Sequence, residues 1–408
     1  MSRGGTVFGV FGIKGLGFWV NLLFTLHDTA FVRTVKCGFL SDYSSPKERP
    51  MERPVITALA DLLRRHVPLG KSRLETMALL TVGMIGARTV NLVHVADERG
   101  SGTVDPTSTY RRLQRFFQHV RLPGDWAAPM IARLAGGADK RTLVMDRTNW
   151  KVGQTHVNLL VLAVRTRHSQ VPLMWTVLDR AGHSETPQRI TLMERYAAIF
   201  GKDSIAMLLA DREFIGADWF KWLEDNDIPF TIRIAHNRLV TRSDGCRVKL
   251  ATQITHHKRG RRCTATLDGM ARPLHFAALK PKDGDWVITA TNRAGHDALA
   301  TYRKRWAIET LFGNTKTRGL NFEDTRLTDP AKLHLLTAIV ALAVAWSVRA
   351  ARTCLGHAAP PRKNHGYLAR SYFRTGFTFL RNRLRSDHPE TLVEWTNLPK
   401  TLTKTGVV

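Results

Sequence analysis

Three acidic residues stand out in a chain of 408 residues that carries 61 Lys+Arg against 34 Asp+Glu, a formal charge of +27. Asp146 ends the apolar run TLVM, and Asp211 ends the run IAMLLA. A carboxylate that closes such a run is predicted to lie at the C-terminal tip of a buried strand, where open sheets gather ligands. It can equally cap the following turn. The third, Glu309, lies in ATYRKRWAIETLFGNTKTRG. Counted from Tyr302, Arg305, Glu309 and Lys316 fall at offsets 3, 7 and 14. At about 100° per residue they share one helical stripe roughly 60° wide, with Ile308, Leu311 and Phe312 on the adjoining side. An exposed Arg305–Glu309 pair would contribute only roughly 0.3–0.5 kcal/mol. The four residues together suggest a different chemistry. Two cations can hold phosphate beside a carboxylate, and three converging carboxylates can bind two divalent ions about 4 Å apart, as phosphoryl transfer requires.

The rest of the composition fits a polyanionic partner. A charge excess of this size concentrates phosphate-bearing molecules, either nucleic acid or an anionic membrane surface. With 43 % hydrophobic residues the chain can bury a large core, which excludes wholesale disorder. Cys37, Cys246, Cys263 and Cys354 form no CxxC pair. That excludes a disulfide framework and the common zinc-finger spacings, and it points to a reducing, cytoplasmic setting. Cys246 and Cys263 bracket His256 and His257, but at no standard zinc spacing.

The elements that must position these residues change character along the chain. Residues 1–50 form an atypical, apolar and glycine-rich leader, interrupted by Lys14, Asn21, His27 and Asp28. These interruptions leave it short of a spanning helix, and a start at Met51 is the simpler reading. Residues 51–128 read as a helical DNA-binding domain. In its last helix, TYRRLQRFFQHV, started by Ser108 or Thr109, Arg111, Arg112 and Arg115 alternate with Leu113, Phe116 and Phe117. Such a helix after two shorter ones suits a helix-turn-helix reader of duplex DNA, or simply a solvated basic face on a bundle.

Residues 129–330 change period. Three short apolar runs, a helix, a strand, a helix and a strand follow one another, which is the order of a ribonuclease-H-like α/β domain. Residues 236–285 interrupt it as a β-rich insertion with 11 Lys/Arg against 4 acids. The region 331–408 is again helical and basic.

These residues resemble the DDE transposases of the insertion sequence four family, whose signature is Y, two residues, R, three residues, E, six residues and K. Tyr302, Arg305, Glu309 and Lys316 reproduce every interval. Asp211, Arg212, Glu213 and Phe214 match the D-R-E-F-like motif around the second aspartate, and Asp146 matches the first. The resemblance spans roughly residues 60 to 350. It implies that Asp146, Asp211 and Glu309 are catalytic and hold two Mg²⁺ or Mn²⁺ ions. It further implies that Tyr302, Arg305, Lys316 and Arg212 contact DNA, with Arg111, Arg112 and Arg115 at the terminal inverted repeats. Trp286, in DWVITATN, stands where hairpin-forming relatives stack a tryptophan on a flipped base. A strand tryptophan packed in the core is the other reading of that position.

The implied activity is cut-and-paste transposition through a hairpin intermediate, with strand transfer into target DNA. The implied setting is a homodimer on two DNA ends, nucleoid-associated in a bacterial cytoplasm and without a membrane. Two further readings fit the same chain. One is an inactive DNA-binding copy that represses transposition, and the other is a ribonuclease-H-like nuclease without strand transfer.

Overall fold

The computed structural model describes residues 7–12, 19–24, 53–99, 105–254, 261–282, 284–356, 358–364, 366, 368–386 and 391. The chain divides into two units, Met1–Arg49 and Pro50–Val408. In the first, β1 (Val7–Gly12) and β2 (Trp19–Phe24) pair antiparallel, with Val7 opposite Phe24. The rest of the expected leader lies outside the described residues.

The second unit opens with α1 (Arg53–Leu63), α2 (Lys71–Ala87), α3 (Leu92–Asp97), α4 (Pro106–His119) and α5 (Ala128–Ala135). Helix α4 starts earlier than the expected Ser108 or Thr109. Asp105 caps it, accepting from the backbone N–H groups of Thr107 and Ser108, with Pro106 in the first turn. Proline suits that turn because its missing N–H would have no helical partner there. Leu113, Phe116 and Phe117 are buried and hold the helix on its neighbours.

A ten-stranded sheet follows. β3 (Arg141–Val152), β4 (Thr155–Arg165) and β5 (Gln170–Leu178) form the expected antiparallel meander. α6 (Thr186–Phe200), β6 (Ile205–Ala210), α7 (Ala217–Asp225) and β7 (Phe230–Ile234) come next, with β6 parallel to both β3 and β7. Every residue of β4 from Val157 to Val164 is buried, which requires that both faces of the sheet be covered.

The insertion extends this same sheet. It contains β8 (Leu239–Thr241), β9 (Arg247–Lys249), α8 (Leu250–Ile254), β10 (Arg261–Leu267) and β11 (Leu274–Leu279), followed by β12 (Val287–Thr291). β12 pairs antiparallel with β7, so the order across the sheet is β5-β4-β3-β6-β7-β12-β11-β10-β8-β9. Lys258 and Arg259, in the insertion's basic segment, lie outside the described residues.

The remaining helices are α9 (Ala298–Arg303), α10 (Ala307–Thr315), α11 (Pro330–Leu355) and α12 (Tyr372–Arg385). Helix α11 is long and apolar enough to cross a bilayer, yet 83 % of its most apolar stretch is buried inside the fold. It packs against α2, α5, α12 and β5 and serves as a core helix. Gly376 lets α12 approach it closely, because a Cβ there would lie 1.9 Å from the Ser347 carbonyl oxygen.

Candidate active site

The register of β3 on β6 brings the first two carboxylates together. Met145 pairs with Ala210, so Asp146 and Asp211 follow side by side. Asp211 lies just past the end of β6, as expected. Asp146 does not end its strand. β3 runs on to Val152, because its far half remains paired with β4 after β6 has stopped. The aspartate therefore sits at the edge left by the shorter neighbour. Each carboxylate accepts the backbone N–H of the next residue at 2.7 Å, Arg147 for Asp146 and Arg212 for Asp211.

The segment carrying Glu309 is not one helix. Helix α9 ends at Arg303, Lys304–Trp306 form a tighter 3₁₀ turn, and α10 begins at Ala307. The tighter turn rotates the chain faster than 100° per residue, so the expected stripe does not continue to Lys316. The buried Gln170 at the start of β5 donates its amide to the carbonyls of Lys304 and Arg305 at 3.1 and 3.3 Å. This supports the irregular turn from the sheet side.

The turn delivers Arg305 into the centre of the carboxylates. Its guanidinium, on a buried side chain, donates to Asp146 Oδ2 at 2.9 Å and lies 3.6 Å from Asp211 Oδ2 and 3.5 Å from Glu309 Oε1. Its Nε donates to the Tyr302 hydroxyl at 3.1 Å, which in turn donates to Asp211 Oδ1 at 3.0 Å. Tyr302, Arg305, Glu309, Asp146 and Asp211 thus form one cluster. Lys316 does not join it. It pairs with Glu323 at 2.8 Å and donates to the Asn149 carbonyl at 3.2 Å, beside the outer half of β3. Tyr302 and Arg305, expected at DNA phosphates, here face the carboxylates.

Burial pushes the Asp146 carboxyl up to about 6; the Arg147 N–H and the Arg305 charge oppose this, and Glu213 and Asp211 add to it. Burial likewise pushes the Tyr302 phenol far above its ordinary range, so it remains a neutral donor. Burial works against the Arg305 charge, but Tyr302, Asp211 and Asp146 outweigh it and hold its pKa above the ordinary value. The Glu309 side chain is 63 % exposed and open to an incoming partner.

Asp146 and Asp211 line a cleft of about 1090 Å³, together with His183, Arg212, Glu213 and Arg238. Among the described residues no three His, Cys, Asp or Glu side chains are already gathered for a metal. The three carboxylates are gathered around the Arg305 guanidinium instead. Their donor chemistry suits a hard divalent cation, since all three offer carboxylate oxygens and already surround one positive charge.

The other expected contacts are distributed over the fold. Arg212 is exposed in the cleft. Trp286, just before β12, is half-buried against the core, with Lys280 Nζ 5.9 Å from its ring centre, and it is not among the residues lining this cleft. On α4, Arg111 and Arg115 are exposed. Arg112 points back to α2, donating to Thr76 Oγ1 and the Ser72 carbonyl at 2.8 Å and pairing with Glu75 at 3.3 Å. Gln114 and Gln118, not anticipated from the sequence, share the exposed face with Arg111 and Arg115 at a spacing of three and four residues. Glu213, in the D-R-E-F-like motif, bridges Arg147 and His183, a role its place in the motif does not show.

A family model described as the transposase DDE domain matches residues 137–346. That is just over half of the 408 residues. The chain belongs to the DDE transposase family. The match places all three carboxylates of this transposase, with Arg305, inside the domain. None of the curated proteins matches the chain. Among solved structures it is similar to endonuclease V of Bacillus subtilis, at 11 % identity and a TM-score of 0.24 over 58 % of this chain and 90 % of that one. It is also similar to Argonaute of Marinitoga piezophila in complex with guide RNA and target DNA. There the identity is 11 % and the TM-score 0.20, over 58 % of this chain and 34 % of that one.

Proposed function

We propose that this transposase hydrolyses DNA at the terminal inverted repeats of an insertion sequence and transfers the freed 3′-hydroxyl into target DNA. The observation that carries this reading is the convergence of Asp146, Asp211 and Glu309 on one cation, with the two aspartates lining an open cleft, within a DDE domain. The strand order β5-β4-β3-β6-β7, antiparallel then parallel, supports a ribonuclease-H-like catalytic core. Asp146, Asp211 and Glu309 would hold the divalent ions, Mg²⁺ or Mn²⁺. When bound, such ions supply Lewis-acid polarisation of the scissile phosphate and an activated water.

The chain's own residues do the rest. Arg212 and Arg238, exposed at the cleft, neutralise phosphates of the bound strand. Tyr302 and Arg305 hold Asp146 and Asp211 in place, and Asp211 accepts from Tyr302 throughout because the phenol stays protonated. The exposed arc of α4 engages the inverted repeat, with Arg111 and Arg115 alternating with Gln114 and Gln118, two glutamines capable of bidentate contacts to adenine edges. Trp286 stacks on a flipped base in the hairpin step, and two copies act together on paired ends.

Glu309→Ala tests the reading. The exposed carboxylate touches only Arg305 among the described partners, so its loss leaves the fold and the DNA-binding surface intact. The expected result, on duplexes copied from the DNA bordering the reading frame, is loss of nicking in Mg²⁺ and Mn²⁺ with end binding retained. Undiminished nicking by this variant removes Glu309 from the site. Binding without nicking by the wild-type protein would favour the repressor reading.

A further inference from the structure

A second polar network adjoins the carboxylates and ends in a single exposed group. The loop between β5 and α6 carries His183, and it is tied down from two sides. Asn158, buried on β4, donates to the carbonyls of Arg180 and Gly182 at 2.9 and 3.0 Å. Arg189, buried on α6, donates to the Ser184 hydroxyl and carbonyl at 3.0 and 2.5 Å and to the Glu213 carbonyl at 3.0 Å. Arg189 thereby locks the loop to the segment that follows Asp211. Arg147, next to Asp146, grips both oxygens of Glu213 at 3.3 Å and also donates to Asn158 Oδ1 at 3.1 Å.

Glu213 in turn faces His183 Nδ1 at 3.2 Å. The Glu213 side chain is only 18 % exposed, whereas that of His183 is 76 % exposed. His183 lines the same cleft as Asp146 and Asp211. An ion pair that merely fastened the loop would be redundant, because Asn158 and Arg189 already fasten it. The network instead fixes one imidazole. Nδ1–H donates to Glu213, so the ring presents Nε2 to the cleft.

We propose that His183 is a catalytic proton donor to the departing 3′-oxygen in DNA hydrolysis, with Glu213 as its positioning residue. The inference rests on the reading of this chain as a DNA-cleaving transposase. As water attacks, a P–O bond to the water oxygen forms and the P–O3′ bond breaks. In its imidazolium form, with Nδ1–H on the Glu213 carboxylate, the ring gives the proton on Nε2 to the leaving oxygen, leaving a free 3′-hydroxyl and a neutral imidazole. The attacking water gives up its proton to solvent, and solvent reprotonates the ring. General acid catalysis of this kind contributes about 10²–10⁴-fold.

The test replaces the 3′-bridging oxygen at the scissile phosphate with sulfur, a leaving group that departs without a proton. Single-turnover nicking of the oxygen and sulfur duplexes is compared in Mn²⁺ for the wild-type protein, His183→Gln and Glu213→Gln. The expected result is a loss of about 10²-fold or more for His183→Gln on the oxygen duplex and a near wild-type rate on the sulfur duplex. Glu213→Gln is expected to show a smaller loss that sulfur also erases. Equal losses on both duplexes would overturn the proposal and make His183 a phosphate contact or a structural residue. Wild-type protein that nicks neither duplex would overturn the transposase reading and this step with it. Wild-type nicking with no effect of His183→Gln would overturn only the step.

Discussion

Arginine serves opposite ends in two regions of this protein. In the carboxylate cluster, the buried Arg305 is surrounded by Tyr302, Asp146, Asp211 and Glu309, so its charge is answered within the chain. On α4, Arg111 and Arg115 are exposed on a helix whose opposite side is packed, and no acidic side chain among the described residues is shown against either; Arg115 Nε reaches only the Arg111 carbonyl, at 3.4 Å. Arg112, one residue from Arg111, belongs with the first kind despite its place among the second. A net charge of +27 therefore overstates the charge available to DNA. What decides is where each guanidinium finds its acceptors.

The sharpest way to break that contrast is to remove the buried charge. In Arg305→Met, Asp146 and Asp211 lose their common cation in a setting where burial already disfavours the charged form of Asp146. Breaking a buried pair by deleting one partner is expected to lower stability by about 3–5 kcal/mol. The loss should be greatest at pH 8 and smaller at pH 5, where Asp146 takes up a proton. Thermal denaturation at the two pH values measures it. Arg111→Met should stay within about 0.5 kcal/mol of wild type at both. If Arg305→Met melts with the wild type at pH 8, Arg305 does not hold the carboxylates together.

Asp146→Asn probes the same cluster from the acid side. The carboxyl moves from 3.8 to about 6 on folding, so the folded state binds the proton more tightly than the unfolded chain does. Stability from this group is undiminished below the unfolded value, falls as pH rises between the two, and is fully lost above the folded value. A neutral asparagine escapes that penalty. The variant should gain on the order of 1–3 kcal/mol over wild type at pH 8 and close to nothing at pH 4. Mn²⁺ should narrow the gap at pH 8 by stabilising the ionised wild-type site more than the variant. A gain that does not change with pH would mean that the substitution acts through packing instead.

The carboxylates were legible in the sequence because each ends or interrupts an apolar pattern. TLVM before Asp146 and IAMLLA before Asp211 mark strands, and the register of parallel neighbours then places the two side by side. Tyr302, Arg305 and Glu309 were legible by spacing, although the helix that the spacing assumed is broken at Lys304–Trp306. The break was hidden because its support, Gln170, lies on a strand far away in sequence. Position along a helical wheel could not reveal that Lys316 turns to Glu323, nor that β3 outruns β6. The His183–Glu213–Arg147–Asn158 network was likewise out of reach, since it assembles from four separate strand and loop segments with no periodic signal. Exposure on α4 was half legible. Apolar spacing located the buried face, but only the contact with Glu75 and Thr76 shows which arginine is used internally.

That last distinction yields the smallest expected effects and the finest test of the contrast. Arg112→Met removes hydrogen bonds to Thr76 and the Ser72 carbonyl and a partly buried pair with Glu75. It is expected to lower stability by about 1–2 kcal/mol and to leave the salt dependence of end binding unchanged. Arg111→Met and Arg115→Met are expected to do the reverse. Each should leave the melting temperature near wild type and reduce the slope of log affinity against log salt by about 1, as loss of one phosphate contact does. If the slope survives either variant while binding at a selected sequence weakens, that arginine contacts a base edge with Gln114 and Gln118 and not the backbone. If Arg112→Met changes the slope as much as its neighbours do, its contacts with α2 give way when DNA binds, and the division between inward and outward arginines fails on this helix.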